Sequence, residues 1–377
     1  MATPAAKPPD DPVTTMRSIL KRIATGPELS KDISYEEARA GMRYVLDAAV
    51  DPVQAAIFLI ALRMKRETDD ENRGVLQAIR DATHTVIANV DDVLDLVDPY
   101  DGFTRTLPVS PFLPAVLAAC GVACVSHGVE RMGPKFGATH RQVLRAAGLA
   151  VDLSVEAAAA RLADPNIGWA YVDQKVFCSK LHQLTDFRTL IVKRPAITTA
   201  EVLANPIRGR RRTHLVTGYV HKPYPRIYAL LARHAGFDSA LLVRGVEGGV
   251  LPSLRSSGKA FYYHAGGEEL PLDFTLADFA IEQSLRAAPL PAGLAREAEG
   301  GDDVALALNL VAIAQAAAAE GRAALAGNPG PVRDSLVSAA ALCLWHLKRY
   351  DELRAAADAV RAVLDNGAAL KRFTRGA

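Results

Sequence analysis

The first part of the chain carries apolar residues at the three- and four-residue spacing of amphipathic helices. The runs read TMRSILKRIA, EEARAGMRYVLDA and QAAIFLIALRMK. Ser34 and Glu37 have the spacing of a capping box at the start of the second run, and an Asp-Pro pair precedes the third. We predict a unit of short, packed helices over residues 15–90, preceded by a disordered leader over residues 1–14.

Beyond residue 90 the pattern changes to short β-branched and aliphatic runs, separated by Ala- and Leu-rich helical stretches. The runs read VLDLV, GVACVSH, THLVTGYV and ALLVRGV. Strands that alternate with helices of ten or more residues are typical of a mostly parallel sheet covered by helices. We therefore predict the fold class as α/β with a separate helical domain. The α/β domain covers residues 91–377 and ends in Ala-rich helices, and part of residues 152–190 returns to the helical domain.

Composition narrows the class of protein without naming a partner. Half of the 377 residues are hydrophobic, and the formal net charge is +2. Such a near-balance neither requires nor excludes a polyanionic partner, because that binding depends on local Lys and Arg clusters. No stretch reaches the roughly 18 uninterrupted apolar residues of a membrane span, and the start of the chain lacks the apolar core of a signal peptide. We expect a cytoplasmic protein with no membrane partner.

The four cysteines are expected to be structural. Cys120, Cys124, Cys178 and Cys343 form no CxxC pair and no dense disulfide framework. Their number and spacing fit a reducing compartment, in which buried cysteines act as small hydrophobic residues. The histidines show no spacing typical of a zinc or iron site. We therefore assign no metal ligand and no catalytic residue.

Several segments resemble the anthranilate phosphoribosyltransferases of glycosyltransferase family 3. The opening helices do so through the run ALRMKRET, and the resemblance continues through RPAITTAEVLANP, EGGDD, GPVRDSLVSAAA and VLDNGAALKRF. It implies the anthranilate phosphoribosyltransferase and type II nucleoside phosphorylase fold, with a ligand between the two domains and a homodimer formed through the helical domain. The segments DPYDGFTRTLPVSPFL, SHGVE and LLVRGVEGG are most similar to a divergent branch that includes nucleic-acid-binding members.

The motifs that hold the phosphoribosyl donor in these enzymes are altered here. The Gly-rich GTGGD loop, whose bare amides approach a diphosphate, is replaced by DPYDGFTRTLPVSP, and the KHGN motif reads SHGV. In the DGxDE segment Glu247 stands at the first acidic place, but Val250 and Leu251 stand where the magnesium-binding carboxylates would be. The resemblance thus implies no magnesium site, and we expect no cofactor.

The acceptor side of the site is retained in the resemblance, since Arg188 and Arg194 align with two arginines there. We predict a ligand-binding cleft formed by Asp101, Gly102, Ser126, His127, Gly128, Arg188, Arg194, Arg244 and Glu247. Other interpretations stay open. The arginines can form ion pairs with Asp186 or Glu201, and Thr198 with Glu201 has the spacing of a capping box.

A dense basic run is the second candidate site. It consists of Arg208, Arg210, Arg211 and Arg212, with Lys222 beyond the next strand. Arginine forks bind phosphate oxygens, so nucleic-acid or phosphate contact is one interpretation. A solvated loop at a strand entrance is the other, and few aromatic residues stand nearby to stack on bases.

Two functions follow from these observations. The first is a protein that kept the scaffold, lost magnesium-dependent donor chemistry and binds an anionic ligand or nucleic acid. The second is a divergent pentosyl or phosphoribosyl transferase that acts on an aromatic or nucleoside-like substrate. The sequence does not decide between them.

Overall fold

The computed structural model describes residues 11–26, 28–294 and 309–377. Most of the predicted leader and the EGGDD segment lie outside these residues. The first helix begins at Pro12, with the carboxylate of Asp11 accepting the amides of Val13 and Thr14 as its N-cap. Residues 12–14, which we assigned to the leader, are therefore helical.

Four helices form the N-terminal unit: α1 (Pro12–Ile23), α2 (Tyr35–Leu46), α3 (Pro52–Lys65) and α4 (Asp69–Asp81). The predicted capping box of Ser34 and Glu37 is present at the start of α2. Helices α2 and α4 pack closely because Gly74 has no side chain. A Cβ atom there would lie 2.5 Å from the carbonyl oxygen of Tyr35.

Seven strands form the main sheet, in the order β4-β3-β2-β6-β7-β8-β9. Their bounds are β2 (Asp92–Val97), β3 (Cys124–Gly128), β4 (Trp169–Asp173), β6 (Arg212–Tyr219), β7 (Ser239–Arg244), β8 (Gly258–His264) and β9 (Leu270–Phe274). The first five are parallel, whereas β8 and β9 are antiparallel to their neighbours. Two short strands, β1 (Val86–Ile87) and β5 (Ile207–Arg208), pair separately. The four predicted runs correspond to β2, β3, β6 and β7, and the other three strands of the main sheet were not predicted.

Twelve further α-helices are described: α5 (Leu113–Ala119), α6 (His140–Ala146), α7 (Val155–Ala163), α8 (Gln174–Phe177), α9 (Ser179–His182), α10 (Leu184–Ile191), α11 (Ile197–Ala200), α12 (Tyr224–His234), α13 (Leu310–Leu325), α14 (Pro331–His346), α15 (Leu353–Asp365) and α16 (Ala368–Arg375). One apolar core joins one face of the sheet to the helical unit. A second core lies between the other face and the C-terminal helices.

The segment after β4 lies against the helical unit. The amide of His84 donates to the carbonyl of Phe177 at 2.7 Å, and Lys180 forms an ion pair with Asp47 at 2.6 Å. All four cysteines are free thiols. Among the described helices, none has the length and apolar character needed to cross a bilayer.

Candidate ligand-binding cleft

A cleft lies at the carboxyl ends of the parallel strands, where ligands of α/β proteins usually bind. It encloses a cavity of about 130 Å³. Its walls come from the ends of β2, β6 and β7 and from α3, α10 and α12. The lining includes Arg63, Pro99, Tyr100, Asp101, Arg188, Arg194, Thr199, Tyr219, Tyr224, Tyr228 and Glu247.

The loop after β2 is bound by the carboxylate of Glu247. This carboxylate accepts the backbone amides of Thr104, Arg105 and Thr106, each at 3.0 Å, and also the hydroxyl groups of both threonines. Burial by itself raises the pKa of Glu247, but Lys135 and the backbone N–H groups outweigh it and lower the pKa. Glu247 is therefore an internal anion seated on three successive amides.

Two cations of the cleft are held by Asp101. Nη2 of Arg194 lies 2.6 Å from the Asp101 carboxylate, and Lys135 lies 3.6 Å from both Asp101 and Glu247. Asp101 is buried, whereas about half of the Arg194 side chain is exposed. Arg194 thus has a protein partner and still reaches the mouth of the cleft.

Arg188 forms a buried ion pair with Glu201. Its guanidinium donates to both carboxylate oxygens of Glu201, at 2.6 and 2.8 Å, and to the hydroxyl of Thr198 at 3.2 Å. The ion-pair interpretation therefore holds for Glu201. The capping box of Thr198 and Glu201 is wrong, because α11 begins without a side-chain cap and Glu201 turns to Arg188.

His127 lies under the cleft rather than in its wall. Its Nδ1 is 2.5 Å from the hydroxyl of Tyr100, and its Nε2 is 3.1 Å from Asp95. All three residues are buried. Burial, followed by the nearby carboxylates, raises the pKa of Tyr100 well above its usual value, so Tyr100 stays protonated. The motif pattern did not predict Asp95 or Tyr100 as partners of His127.

Neighbouring predicted residues are also part of the scaffold. The hydroxyl of Ser126 is 3.1 Å from Nε2 of His140, and Gly128 is buried beside Tyr171. Gly102 adopts a positive φ of 74°, and a Cβ atom there would lie 2.6 Å from the backbone of Gly137. These residues support the cleft but do not line its cavity.

A further buried carboxylate, Asp98, was missed. It accepts the amide of Val250 at 3.0 Å and the hydroxyl of Ser110. Burial raises the pKa of Asp98. The signal for it was a charged residue directly after a buried strand.

The residues at the expected metal position do not fit magnesium. Val250 and Leu251 are buried and offer no side-chain oxygen, and both oxygens of Glu247 are already bound by protein donors. In the part of the chain that the structure describes, no three His, Cys, Asp or Glu residues come together to hold a metal ion.

The basic run is not a single patch. Arg210 pairs with Asp91 at 2.7 Å, Arg212 pairs with Asp92 at 2.8 Å, and Arg208 donates to a backbone carbonyl. Arg211 is exposed at the same turn. Lys222 follows the far end of β6, so the strand separates it from the four arginines.

Three exposed cations are neighbours, in the chain or across the sheet, of residues that line the cleft. Lys193 adjoins Arg194, Lys222 adjoins the cavity-lining His221, and Arg244 ends β7 beside Tyr219. Within residues 11–26, 28–294 and 309–377, none of these three cations has a carboxylate within ion-pair distance. We call Lys193, Lys222 and Arg244 the rim cations; the predicted Arg244 does not line the cavity itself.

Comparison with known proteins bears on the family. Residues 17–83 match the helical bundle domain of a glycosyl transferase family, and residues 101–370 match its a/b domain. The second match covers more than half of the chain. The chain belongs to the anthranilate phosphoribosyltransferase-like glycosyl transferase family. The predicted family and fold class are thereby confirmed, whereas membership of the divergent branch stays a prediction.

Individual family members are similar over different lengths. An anthranilate phosphoribosyltransferase of Rhodopseudomonas palustris is 26% identical over 360 residues, covering 95% of this chain and 96% of that protein. An uncharacterized protein of Aquifex aeolicus is 30% identical over 222 residues, covering 59% of this chain and 65% of that protein. The structure of anthranilate phosphoribosyltransferase from Thermus thermophilus has a TM-score of 0.69 at 23% identity, over 96% of this chain and 97% of that one.

Proposed function

We propose that this chain binds an anionic ligand at the cleft and does not use a magnesium-bound phosphoribosyl donor. The claim that no magnesium-bound donor is used rests on the position of Glu247 on the amides of Thr104, Arg105 and Thr106. Successive amides of a loop after a strand are natural donors to phosphate. Here an internal carboxylate already takes them, and it would repel a diphosphate.

The cations at the mouth support an anionic ligand. Inside the cleft, the carboxylates of Asp101 and Glu201 hold Arg194 and Arg188. Lys193, Lys222 and Arg244 have no such partner among the described residues, so their charge is available to a ligand. Arg194 lines the cavity and is about half exposed, so its guanidinium can contact a ligand in addition to Asp101.

A divergent pentosyl transferase is the alternative that one feature favours. Tyr219, Tyr224 and Tyr228 line the cavity, and aromatic walls suit a planar substrate. Such an enzyme would need no amide site for diphosphate if its donor were a nucleoside. The nucleic-acid version of the first proposal relies on the same rim cations, because the four arginines of the basic run lie at the other edge of the sheet.

The test compares donors and anions on the same protein. Calorimetry with phosphoribosyl diphosphate should give the same result with and without magnesium, and no transfer to anthranilate should be observed. Magnesium-dependent transfer would refute the proposal. Cleavage of nucleosides in the presence of phosphate would support the transferase alternative instead.

The anionic ligand is tested at the rim. Binding of anthranilate and of a fluorescent single-stranded DNA should weaken in the triple variant K193Q/K222Q/R244Q. The matched variant K21Q/R354Q/K371Q removes three exposed cations on α1, α15 and α16, none of which lines the cleft, and should bind as the wild type does. Salt-sensitive binding of DNA alone would favour the nucleic-acid version. If both variants bound anthranilate and DNA equally well, the three cations Lys193, Lys222 and Arg244 would not form the binding site.

We further propose that two copies associate through the helical unit. Helix α3 presents an apolar stripe to solvent, with Val53 at 66%, Ile57 at 37% and Met64 at 73% exposure. Such a stripe marks a surface that a partner covers, and the family resemblance favours a second copy. Sedimentation should show a dimer for the wild type and a monomer for I57D/M64D. A monomeric wild type would contradict the proposal.

A further inference from the structure

A second and larger cavity lies at the opposite edge of the sheet. Its volume is about 910 Å³, and the amino ends of β2, β6 and β7 form its floor together with the end of α14. A cavity of that size accommodates a metabolite as large as a nucleotide. It shares no lining residue with the cleft, and neither proposal for the cleft uses it.

Three histidines and a serine form the polar wall of this cavity. The hydroxyl of Ser239 lies 2.8 Å from Nδ1 of His214 and 2.8 Å from Nε2 of His346. The ring of His264 stacks on that of His346 with centroids 4.6 Å apart. Nδ1 of His346 is buried and has no hydrogen-bond partner among the described residues.

The four carboxylates that line the cavity all accept hydrogen bonds from the protein, two of them from arginines and two from backbone amides. Asp92 is bound by both nitrogens of the Arg212 fork, at 2.9 and 2.8 Å, and Asp91 pairs with Arg210. Asp164 accepts the amide of Asn166 at 2.7 Å, and Asp238 accepts the amide of Thr213 at 2.8 Å. Each acid therefore already has a protein donor.

Of the cations that line the cavity, Arg212 pairs with Asp92 and Arg372 donates to the carbonyl of Ile167, whereas Lys348 and Arg349 have neither kind of partner among the described residues. Lys348 and Arg349 follow the end of α14, where their backbone amides cap the carbonyls of Trp345 and Leu344. The backbone of Lys348 is left-handed, with φ of 55°. In the part of the chain that is described, no carboxylate lies within ion-pair distance of either side chain. Arg349 acts electrostatically on the nearby Asp92, but Arg212 already binds that carboxylate, so neither Lys348 nor Arg349 has an ion pair of its own and both can meet a ligand that enters the cavity.

We propose that this cavity is a second binding site, for a small phosphate-bearing anion held by Lys348 and Arg349 beside the histidine and serine wall. Lysine supplies a point charge and arginine a bidentate fork, which together suit a terminal phosphate. The neutral imidazoles offer N–H donors to the remainder of the molecule. The volume leaves room for a base and a sugar as well as for free phosphate.

Both tryptophans of the chain report on the site. Nε1 of Trp169 donates to the carbonyl of Arg372, which lines the cavity, at 3.0 Å, and Trp345 directly precedes His346. Titration of the whole protein with inorganic phosphate, pyrophosphate and adenosine monophosphate should give a saturable change in tryptophan fluorescence. Adenosine, which lacks the phosphate, should give none. The ratio of affinities for phosphate and the monophosphate separates a phosphate site from a nucleotide site.

The decisive variant is K348N/R349Q, because asparagine tolerates the left-handed backbone at residue 348. Its affinity for the anions should fall at least about tenfold. The matched variant K259Q/R354Q removes two cations elsewhere and should bind as the wild type does, as should the cleft variant R194Q. The single variant R349Q is the second test if circular dichroism shows misfolding of the double variant.

No saturable change in the wild type would overturn this proposal. An unchanged affinity in K348N/R349Q, or a loss in R194Q instead, would overturn it as well. A failure of the cleft to bind any anion would leave it intact, since the two sites are measured by different variants.

Discussion

The two edges of the sheet differ in where the cations without an ion pair lie. At the carboxyl edge, the cleft carboxylates of Asp101, Glu201 and Glu247 bind the protein's own cations and amides. Among the residues that the structure describes, the unpaired cations of that edge, Lys193, Lys222 and Arg244, lie outside the lining of the cleft cavity, whereas at the amino edge Lys348 and Arg349 line the cavity itself. The ligand of a cavity is therefore indicated mainly by those lining charges that have no partner within the protein.

The largest expected effect is on the buried pair of the carboxyl edge. Replacing Glu201 by Gln leaves Arg188 charged and buried without its partner. We expect a loss of about 3–5 kcal/mol in the free energy of unfolding, measured by urea denaturation.

Glu320→Gln is the control, because Glu320 is exposed on α13 and should change the free energy of unfolding by less than about 0.5 kcal/mol. The double variant R188M/E201L should recover much of the stability, since an apolar pair needs no compensation. An unchanged stability of E201Q would mean that Arg188 is not confined to the cleft wall.

A buried histidine beneath the cleft gives the next effect. Burial, followed by the proximity of His127, lowers the pKa of His140 from 6.5 to about 3. The unfolded chain therefore takes up a proton below pH 6.5, and the folded chain does not until about pH 3. Stability from neutral His140 is complete above pH 6.5 and is lost as the pH falls towards 3, by at most about 1.4 kcal/mol per pH unit.

The measurement is the free energy of unfolding between pH 7 and pH 4 for the wild type and His140→Gln. The variant should show a shallower decline. Parallel curves would mean that another group sets the acid sensitivity.

Replacing Glu247 should have a smaller effect on the free energy of unfolding. The group concerned is a charged carboxylate rather than a neutral histidine. Glu247→Gln places an amide group against the N–H donors of the loop, and we expect a loss of about 1–3 kcal/mol. The folded pKa of Glu247 is lowered, so its contribution is present above the unfolded value near 4.5 and is lost as the pH falls below it. The stability difference between the wild type and E247Q should therefore shrink at low pH.

Hydrogen exchange of the amides of residues 104–106 checks this prediction directly. They should exchange faster in E247Q, while strand amides in β3 stay protected. Equal exchange in the two proteins would show that the loop does not depend on Glu247.

The smallest effect is expected at the basic run. Arg210 and Arg212 form exposed pairs with Asp91 and Asp92, and R210Q/R212Q should cost less than about 1 kcal/mol per pair. Its affinity for single-stranded DNA should equal that of the wild type. A clear loss of DNA binding would restore the nucleic-acid interpretation of this run and weaken the contrast between the two edges.

Local pattern was enough to predict the first helices and four of the five parallel strands of the main sheet. The period of apolar residues and the capping box of Ser34 placed α1 to α3, and runs of aliphatic residues placed β2, β3, β6 and β7. Strand β4 was missed because WAYVD lies within residues 152–190, part of which we assigned to the helical domain. The hairpin of β8 and β9 was missed because its runs are partly exposed and carry less of the aliphatic signal.

The cleft was predictable only in part. Four of the residues that the motif positions predicted for the cleft line its cavity: Asp101, Arg188, Arg194 and Glu247. Their partners could not be inferred, since the sequence does not show which carboxylate meets which cation across the fold. His127 was placed in the cleft on the geometry of the family. The partners that hold it below the cleft are Asp95, which lies on strand β2, and Tyr100, which lies three residues beyond the end of that strand.

The contact between Glu247 and Arg105 joins residues 142 positions apart in the chain. Closing so long a loop costs conformational entropy before the bond contributes anything. Arg105 and Glu247 lie in different halves of the α/β domain, so neither half can form this part of the cleft alone. The ligand cleft should consequently be among the last parts of the molecule to become native during refolding, well after the helical unit has packed.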